Sequence, residues 1–431
     1  MTGRRRSSSH RPRRTVRVRS SRAAVAGATL AALALLAGGC GAIPGTGSAR
    51  DTITVMTWAP IGTNATNMPG VPAMAKAFAN YVNASGGLDG HKLRVLTCNE
   101  RNDPSGAATC ARRAVDEDVD AVVGSYSQFG QEFMAPLEAA AIPYLGGYGL
   151  SEEEFSSYLS YPVNGGQAAL LAGDGRQLAR NCEKTALVRP DTVAGDDLPD
   201  LLDAGLTQGK RDQATDIRAA EDATDYTEQA VEARSSAGDG GCVTAVLGDH
   251  TQTFYDSYRR LPQDGRDIRV SSVVGSVDQP LIDRTGGADG PFEGAYVTGW
   301  YPESSDPAWQ PMRKVIDKYA FGDDDVDPDN PGVQTTWIAY TALREIVSAI
   351  HDNTVTAGKI VDTIDRGVTV DTGGLTPPLR WRFQDMLGAS GFPRIVNRDV
   401  TFQVVRGGRL VAERKGFVNV GATLQNTADG F

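Results

Sequence analysis

Between Val71 and Gly147 the apolar residues change period repeatedly, and polar clusters fall only where strands should end. Val71, Met74, Ala77, Phe78, Tyr81 and Val82 recur at three- and four-residue spacing, the stripe of an amphipathic helix. Gly86 and Gly87 follow it, where a left-handed cap carries little steric penalty for glycine. Leu93 and Val95, then Ala121-Val122-Val123-Gly124 and Ile142–Leu145, are short apolar runs bounded by turn residues, which predicts buried parallel strands. Asp103-Pro104 stands where an N-cap and first helical residue belong, opening a helix that contains Ala107, Ala111 and Val115. Alternating strands and helices imply an α/β fold with a parallel sheet, whose ligands bind at the strands' carboxyl ends.

A second alternating series follows Tyr161-Pro162. Strands are expected at Lys184–Val188, Thr215–Arg218, Val243–Leu247, Arg269–Val274 and Gly294–Thr298, and helices at Leu198–Leu206, Tyr226–Ala237 and Thr253–Leu261. The chain then turns helical over Trp309–Tyr319, Trp337–Ile350 and Ala357–Asp365. Thr401–Val405 and Leu410–Glu413 read as a closing hairpin around Gly407-Gly408. The acidic run Gly322–Asn330 lacks the glycine and glutamate of a calcium loop, since Pro328 and Gln334 hold those places, so it reads as a solvated turn before a helix.

Several stretches carry a family resemblance. Asn83–Leu93 (NASGGLDGHKL), Asp103–Ala108 (DPSGAA), Ala121–Ser127 (AVVGSYS) and Ala135–Pro143 (APLEAAAIP) are similar to the first lobe of type I periplasmic solute-binding proteins. That group includes the branched-chain amino acid (leucine-binding protein-like) and amide receptors of bacterial ABC importers. The similarity runs more weakly over about Asp51–Ile350. It implies two Rossmann-like lobes with parallel sheets joined by a three-segment hinge, with crossings near Tyr161–Gly165, Gly294–Gly299 and Thr376–Phe392. The expected division is 51–163 and 296–380 for the first lobe, and 164–295 and 381–431 for the second.

The first 22 residues hold nine arginines and no acidic residue, Ala23–Ala37 is apolar, and Gly38-Gly39-Cys40 follows. This predicts a lipoprotein signal over 1–39, with Cys40 lipidated and 40–50 as a tether. Ala37 stands where a lipobox carries leucine, and the alternatives are an ordinary signal peptide or one anchoring helix, the apolar run barely reaching the roughly 20 residues a span needs. The location implied is the outer face of the cytoplasmic membrane. Removing the nine leader arginines from 43 basic residues leaves 34 against 53 acidic ones, a net of −19. That balance shows no basic nucleic-acid footprint.

Four cysteines remain after Cys40, and three pairings are open to them. Cys98 ends a strand and Cys110 lies on the next helix, whereas Cys182 and Cys242 each precede a strand that adjacent parallel pairing would bring together. Cys98–Cys110 and Cys182–Cys242 are therefore expected, each contributing about 3–4 kcal/mol in the loop-entropy model. No Cys-x-x-Cys occurs and only His91, His250 and His351 follow the leader, so no metal or other cofactor is expected.

The expected site gathers at strand ends. After Ala121–Val123 come Ser125, Ser127 and Gln128 before a helix, whose free N–H groups suit a carboxylate or carbonyl oxygen; the alternative is a plain helix cap. The resemblance places the ligand carboxylate at or beside Ser127. After Ile142–Leu145, Gly147 and Tyr148 occupy the second grip, with Tyr148 and Leu150 replacing the family's serine or threonine. Tyr148 offers a stacking face or plugs the sheet end. Trp58 is a ligand platform or a core residue, and Asn64 and Asn67 should overhang the gap. In the second lobe Ala194 stands where the resemblance implies a tyrosine, and the stretch SSVVGSV around Val274 holds no carboxylate where it implies an acidic partner; Asp249 at a strand end can supply that charge from another direction, with His250 beside it as a ligand contact or a surface residue.

The function implied is a lipid-anchored solute receptor delivering an amino acid, amide or small acid to the permease and ATPase of an ABC importer. The alternative is a ligand sensor that reports to a membrane signalling protein. No Gly-x-Ser-x-Gly, His-Glu-x-x-His, phosphate loop or dinucleotide fingerprint is present, which argues against an enzyme. Non-reducing peptide mapping should find all four downstream cysteines oxidised in the order given, and a free thiol at Cys98 would refute the first pair.

Overall fold

The computed structural model describes residues 51–427, apart from 64–65, 193–194, 221–222, 263, 321, 324 and 390 and the side chains of 249, 426 and 427. The leader, the tether and Cys40 lie outside the described residues, as do Asn64 and Ala194.

Five short runs form the first sheet: β1 (Ile53–Ala59), β2 (Leu93–Asn99), β3 (Ala121–Val123), β4 (Tyr144–Leu145) and β5 (Ser160–Tyr161). All pair in parallel, in the order β2-β1-β3-β4-β5. Parallel strands carry helices on both faces, and β1 is accordingly buried almost throughout. Met56 and Trp58 pack towards the helices Pro104–Asp116 and Gly130–Ala139. Val55 and Ala59 face the opposite layer, where Phe78 of the helix Gly70–Ala84 meets Trp337 and Tyr340 of the helix Pro331–Ser348. Asp103 caps its helix as expected, accepting from Gly106 N at 2.7 Å, with Pro104 opening the first turn. Gly87 has φ +86°, and a Cβ there would lie 2.2 Å from the carbonyl oxygen of His91, so this turn admits only glycine.

The second sheet comprises β6 (Thr185–Pro190), β7 (Thr215–Ala219), β8 (Cys242–Ala245), β9 (Arg269–Val273), β10 (Tyr296–Gly299), β11 (Asp399–Arg406), β12 (Arg409–Ala412) and β13 (Val418–Asn419). Its order is β12-β11-β10-β9-β8-β6-β7, with β13 also on β11. The strands β6 to β10 run parallel, and the closing hairpin adds antiparallel strands at one edge. Because β10 lies inside this sheet, the chain turns back towards the first only after Gly299.

Periodicity does not predict the helix Gly166–Asn181, yet twelve of its residues are buried. Its apolar stripe is interrupted by Asp174 and Gln177, which are also buried. Asp174 accepts from Thr244 Oγ1 at 2.9 Å and Ser271 Oγ at 2.7 Å, and burial pushes its carboxyl up to about 7. Gln177 accepts from Thr298 and donates to the carbonyl oxygen of Gln403. Gly173 lets β10 and β11 approach, since a Cβ there would lie 2.8 Å from Val400 and 2.9 Å from Thr298, and Gly175 admits the helix Leu198–Gln208, since its Cβ would lie 2.0 Å from the Leu202 carbonyl oxygen.

Both disulfides form as expected. Cys98–Cys110 ties β2 to the following helix, and Cys182–Cys242 joins residues 60 apart through the neighbouring starts of β6 and β8. Asn330, at the end of the acidic run, caps the helix Pro331–Ser348 by accepting from Gly332 N and Val333 N.

Candidate functional site

Three segments connect the sheets, and they are hydrogen-bonded to one another. Trp381 donates Nε1–H to the Pro162 carbonyl oxygen at 2.8 Å, and Asn397 donates to that of Val163 at 3.0 Å. Asn164 reaches Tyr301 Oη at 3.1 Å, and Trp300 Nε1–H donates to the Gly166 carbonyl oxygen at 2.9 Å. Above this knot stand the loops that leave the carboxyl ends of the strands.

In the loop after β3, Ser125 and Ser127 are both buried. Ser125 Oγ accepts from Trp58 N at 3.1 Å, and its carbonyl accepts from Tyr148 N at 3.0 Å, binding three strand-end loops into one body. Ser127 Oγ donates to Glu100 at 3.1 Å and accepts from Phe129 N at 3.2 Å. Its hydroxyl therefore already serves a protein carboxylate as well as the following turn. Burial raises Glu100 to about 7, with the Ser127 hydrogen bond pulling the other way. When ionised, Glu100 places a negative charge directly behind the spot expected to take a ligand carboxylate. Gln128 is exposed at the rim.

The loop after β4 is organised by a second buried carboxylate. Glu154 accepts from the backbone N–H groups of Gly149, Leu150 and Ser151 at 3.1, 3.0 and 3.2 Å, and from Ser151 Oγ at 3.3 Å. Burial nevertheless lifts it to about 7. Gly147 has no room for a side chain, because a Cβ would meet Glu154 at 2.0 Å and Tyr144 at 2.3 Å. Neither Glu100 nor Glu154 was expected from the sequence. Each is one acid in a polar stretch, and only the fold buries it.

Tyr148 is buried and spans the gap. Its ring lies 4.9 Å from Tyr126 and edge-on to Trp300 at 5.1 Å. A Cβ on Gly275, after β9, would lie 2.9 Å from its hydroxyl oxygen. Trp58 is fully buried between Phe133 and Tyr144, at 5.5 and 6.0 Å, on the face covered by the helices Pro104–Asp116 and Gly130–Ala139. Its ring is core, which corrects the platform alternative. Asn67 exchanges hydrogen bonds with the backbone of Thr63 at 2.8 Å, closing its own loop.

On the opposing edge, Arg189 at the end of β6 is held by Asp216 through Nε and Nη2 (2.9 and 2.8 Å) and by Asp196 at 2.7 Å. Asp249 belongs to the 3-10 turn Gly248–His250 at the carboxyl end of β8; its side chain lies outside the described residues. Val274 is half-buried against the core. Exposed positions line both edges, Ile61, Gly62 and Gln128 on one and Asp191, Gly248 and Gly275 on the other. Beside the connecting segments a cavity of about 30 Å³ lies among Trp300, Tyr301, Gln334, Val274 and Gln403.

The chain matches the family model described as periplasmic binding protein over residues 54–388. Among solved structures it is similar to a possible leucine/isoleucine/valine-binding protein from Rhodopirellula baltica, at 14% identity and TM-score 0.69 over 85% of this chain and 97% of that one. A branched-chain amino acid ABC transporter protein from Thermus thermophilus with bound valine gives 14% identity and TM-score 0.68 over 88% and 100%. A solute binding protein of an ABC transporter from Rhodopseudomonas palustris, in complex with 3,4-dihydroxy benzoic acid, gives 14% and 0.67 over 86% and 98%. At these identities the likeness establishes the fold. No curated protein matches.

The loop carboxylates set a pH dependence whose sign is fixed. Glu154 binds its proton more tightly folded (about 7) than at its ordinary value of 4.5, so its contribution to stability is full below 4.5 and is lost as pH rises through 7. The unfolding temperature of the wild type should therefore fall relative to Glu154→Gln across that window. Parallel curves would contradict the assignment.

Proposed function

This chain belongs to the periplasmic binding protein family, and from that premise we propose that it traps a small polar solute between its lobes for an ABC importer. The solute is an amino acid, an amide or a small acid, passed to a membrane permease and ATPase. The exported chain is held at the outer face of the cytoplasmic membrane by a lipid on Cys40, within the stretch outside the described residues.

One observation carries this reading: the strand-end loops of the first sheet are locked by buried carboxylates, and Tyr148 reaches from them to the second sheet. Rigid loops lower the ordering cost of binding. Hinge closure then favours a solute only in so far as both lobes contact it in the closed form. We assign Ser125, Ser127, Gln128, Gly147 and Tyr148 to one side of the solute and Asp249 to the other. Trp58 supports the sheet from behind.

The committed hydroxyl of Ser127 bears on the choice of solute. An ionised Glu100 opposes a carboxylate there, whereas a neutral acceptor such as an amide oxygen meets no such charge. The similar structures hold valine in one case and 3,4-dihydroxy benzoic acid in another, so the fold itself accommodates solutes of unlike shape.

Thermal unfolding should be followed across a panel of amino acids, amides, urea, small carboxylates and sugars. A true solute at 100 times its dissociation constant adds about 2.7 kcal/mol of stability. The stabilisation should shrink in Tyr148→Ala, and a broad panel with no stabiliser would count against solute capture.

A further inference from the structure

The larger of the two cavities described lies away from the facing edges. It opens at the opposite end of the second sheet, where β9 and β10 begin and β11 ends, and measures about 700 Å³. Five arginines line it: Arg234, Arg259, Arg266, Arg269 and Arg406. That is a notable concentration in a chain of formal net charge −10.

Their neutralisation is uneven. Arg259 pairs with Asp256 at 2.6 Å, whereas Arg234 and Arg266 share the single carboxylate of Asp264. Arg269 lies over the Tyr296 ring, 5.7 Å from its centroid, and donates to its hydroxyl oxygen. Among the described residues neither Arg269 nor Arg406 forms an ion pair. Three carboxylates also line the cavity, Asp267, Glu293 and Glu413, and the last two are turned elsewhere. Glu293 accepts from Gly407 N and Gly408 N at 2.8 and 2.9 Å, and Glu413 accepts from Gln177 and Asn181 at 2.7 and 2.9 Å.

The two arginines frame a slot at the end of the sheet: Arg269 opens β9, Arg406 closes β11, and the start of β10 lies between them. The ladder stops at Tyr296, which pairs with Ser271 and Val404. Just before it the chain turns, Gly294 N donating to the Val405 carbonyl oxygen and Ala295 N to that of Phe292, with Gly294 at φ +79° and open space where its Cβ would be. The outer strands stand about 10 Å apart across the middle one. Two permanently charged forks thus line the cavity, that of Arg269 against the Tyr296 hydroxyl. Guanidinium forks match the paired oxygens of phosphate groups.

We propose that this slot binds a phosphate-type oxyanion, at a site separate from the solute gap and independent of the solute reading. Phosphate groups reach such a receptor from soluble phosphate compounds or from lipid headgroups. The test is titration of the protein with sodium pyrophosphate against sodium chloride at matched ionic strength, read by calorimetry and unfolding temperature. Saturable binding is expected, weakened about tenfold in Arg269→Gln and in Arg406→Gln, as for loss of one charge-assisted hydrogen bond. Arg406 is exposed and has no side-chain partner among the described residues, so unliganded Arg406→Gln should unfold at the wild-type temperature, whereas Arg269→Gln also loses its contacts with Tyr296. Pelleting with phosphatidylglycerol vesicles, compared with binding of glycerol phosphate, identifies the source; arginine-dependent binding in either arm supports the slot. No saturable pyrophosphate binding, or equal binding by both variants, would overturn it.

Discussion

Two parallel sheets bind a ligand between them only if their carboxyl edges face each other, and here that constraint is met by the knot of connecting segments. Trp381, Asn397, Asn164 and Trp300 each donate a side-chain hydrogen bond to another part of the crossing, at 2.8 to 3.1 Å. All four side chains are buried. Breaking one therefore leaves a polar group unpaired away from water, which is the costly outcome. These bonds sit within one apolar cluster that runs from the first lobe to the second through Tyr148, Trp300 and Tyr301.

The strand-end loops obey a similar logic on a smaller scale. Loops that wait for a solute have backbone groups without regular partners, and Glu100 and Glu154 satisfy them from below. Burial makes both acids hold their protons near neutrality. The result is a pre-organised rim whose charge depends on pH, next to the place where a charged solute would sit. Tyr148 adds the bridge between lobes, in a position where the resembled family carries a small hydroxyl residue.

Much of this fold was legible wherever one face of an element is apolar and the ends carry turn chemistry. The helix Gly70–Ala84, the Asp103-Pro104 cap, the closing hairpin and both cysteine pairs are of that kind. The helix Gly166–Asn181 was not legible, because Asp174 and Gln177 are satisfied by strands more than 60 residues away. The site shows the same division. Strand ends located the loops, but which hydroxyl is committed, as at Ser127, depends on a partner 27 residues distant. Trp58 illustrates the remaining ambiguity, since a large ring near a strand's carboxyl end can turn towards the gap or pack beneath a covering helix.

The central claim is that the two lobes hinge over a solute, and small-angle X-ray scattering of the protein with and without its stabilising solute tests it most directly. The account predicts a smaller radius of gyration on saturation, with the change diminished when Tyr148 is replaced by alanine. An unchanged radius at full occupancy would contradict it.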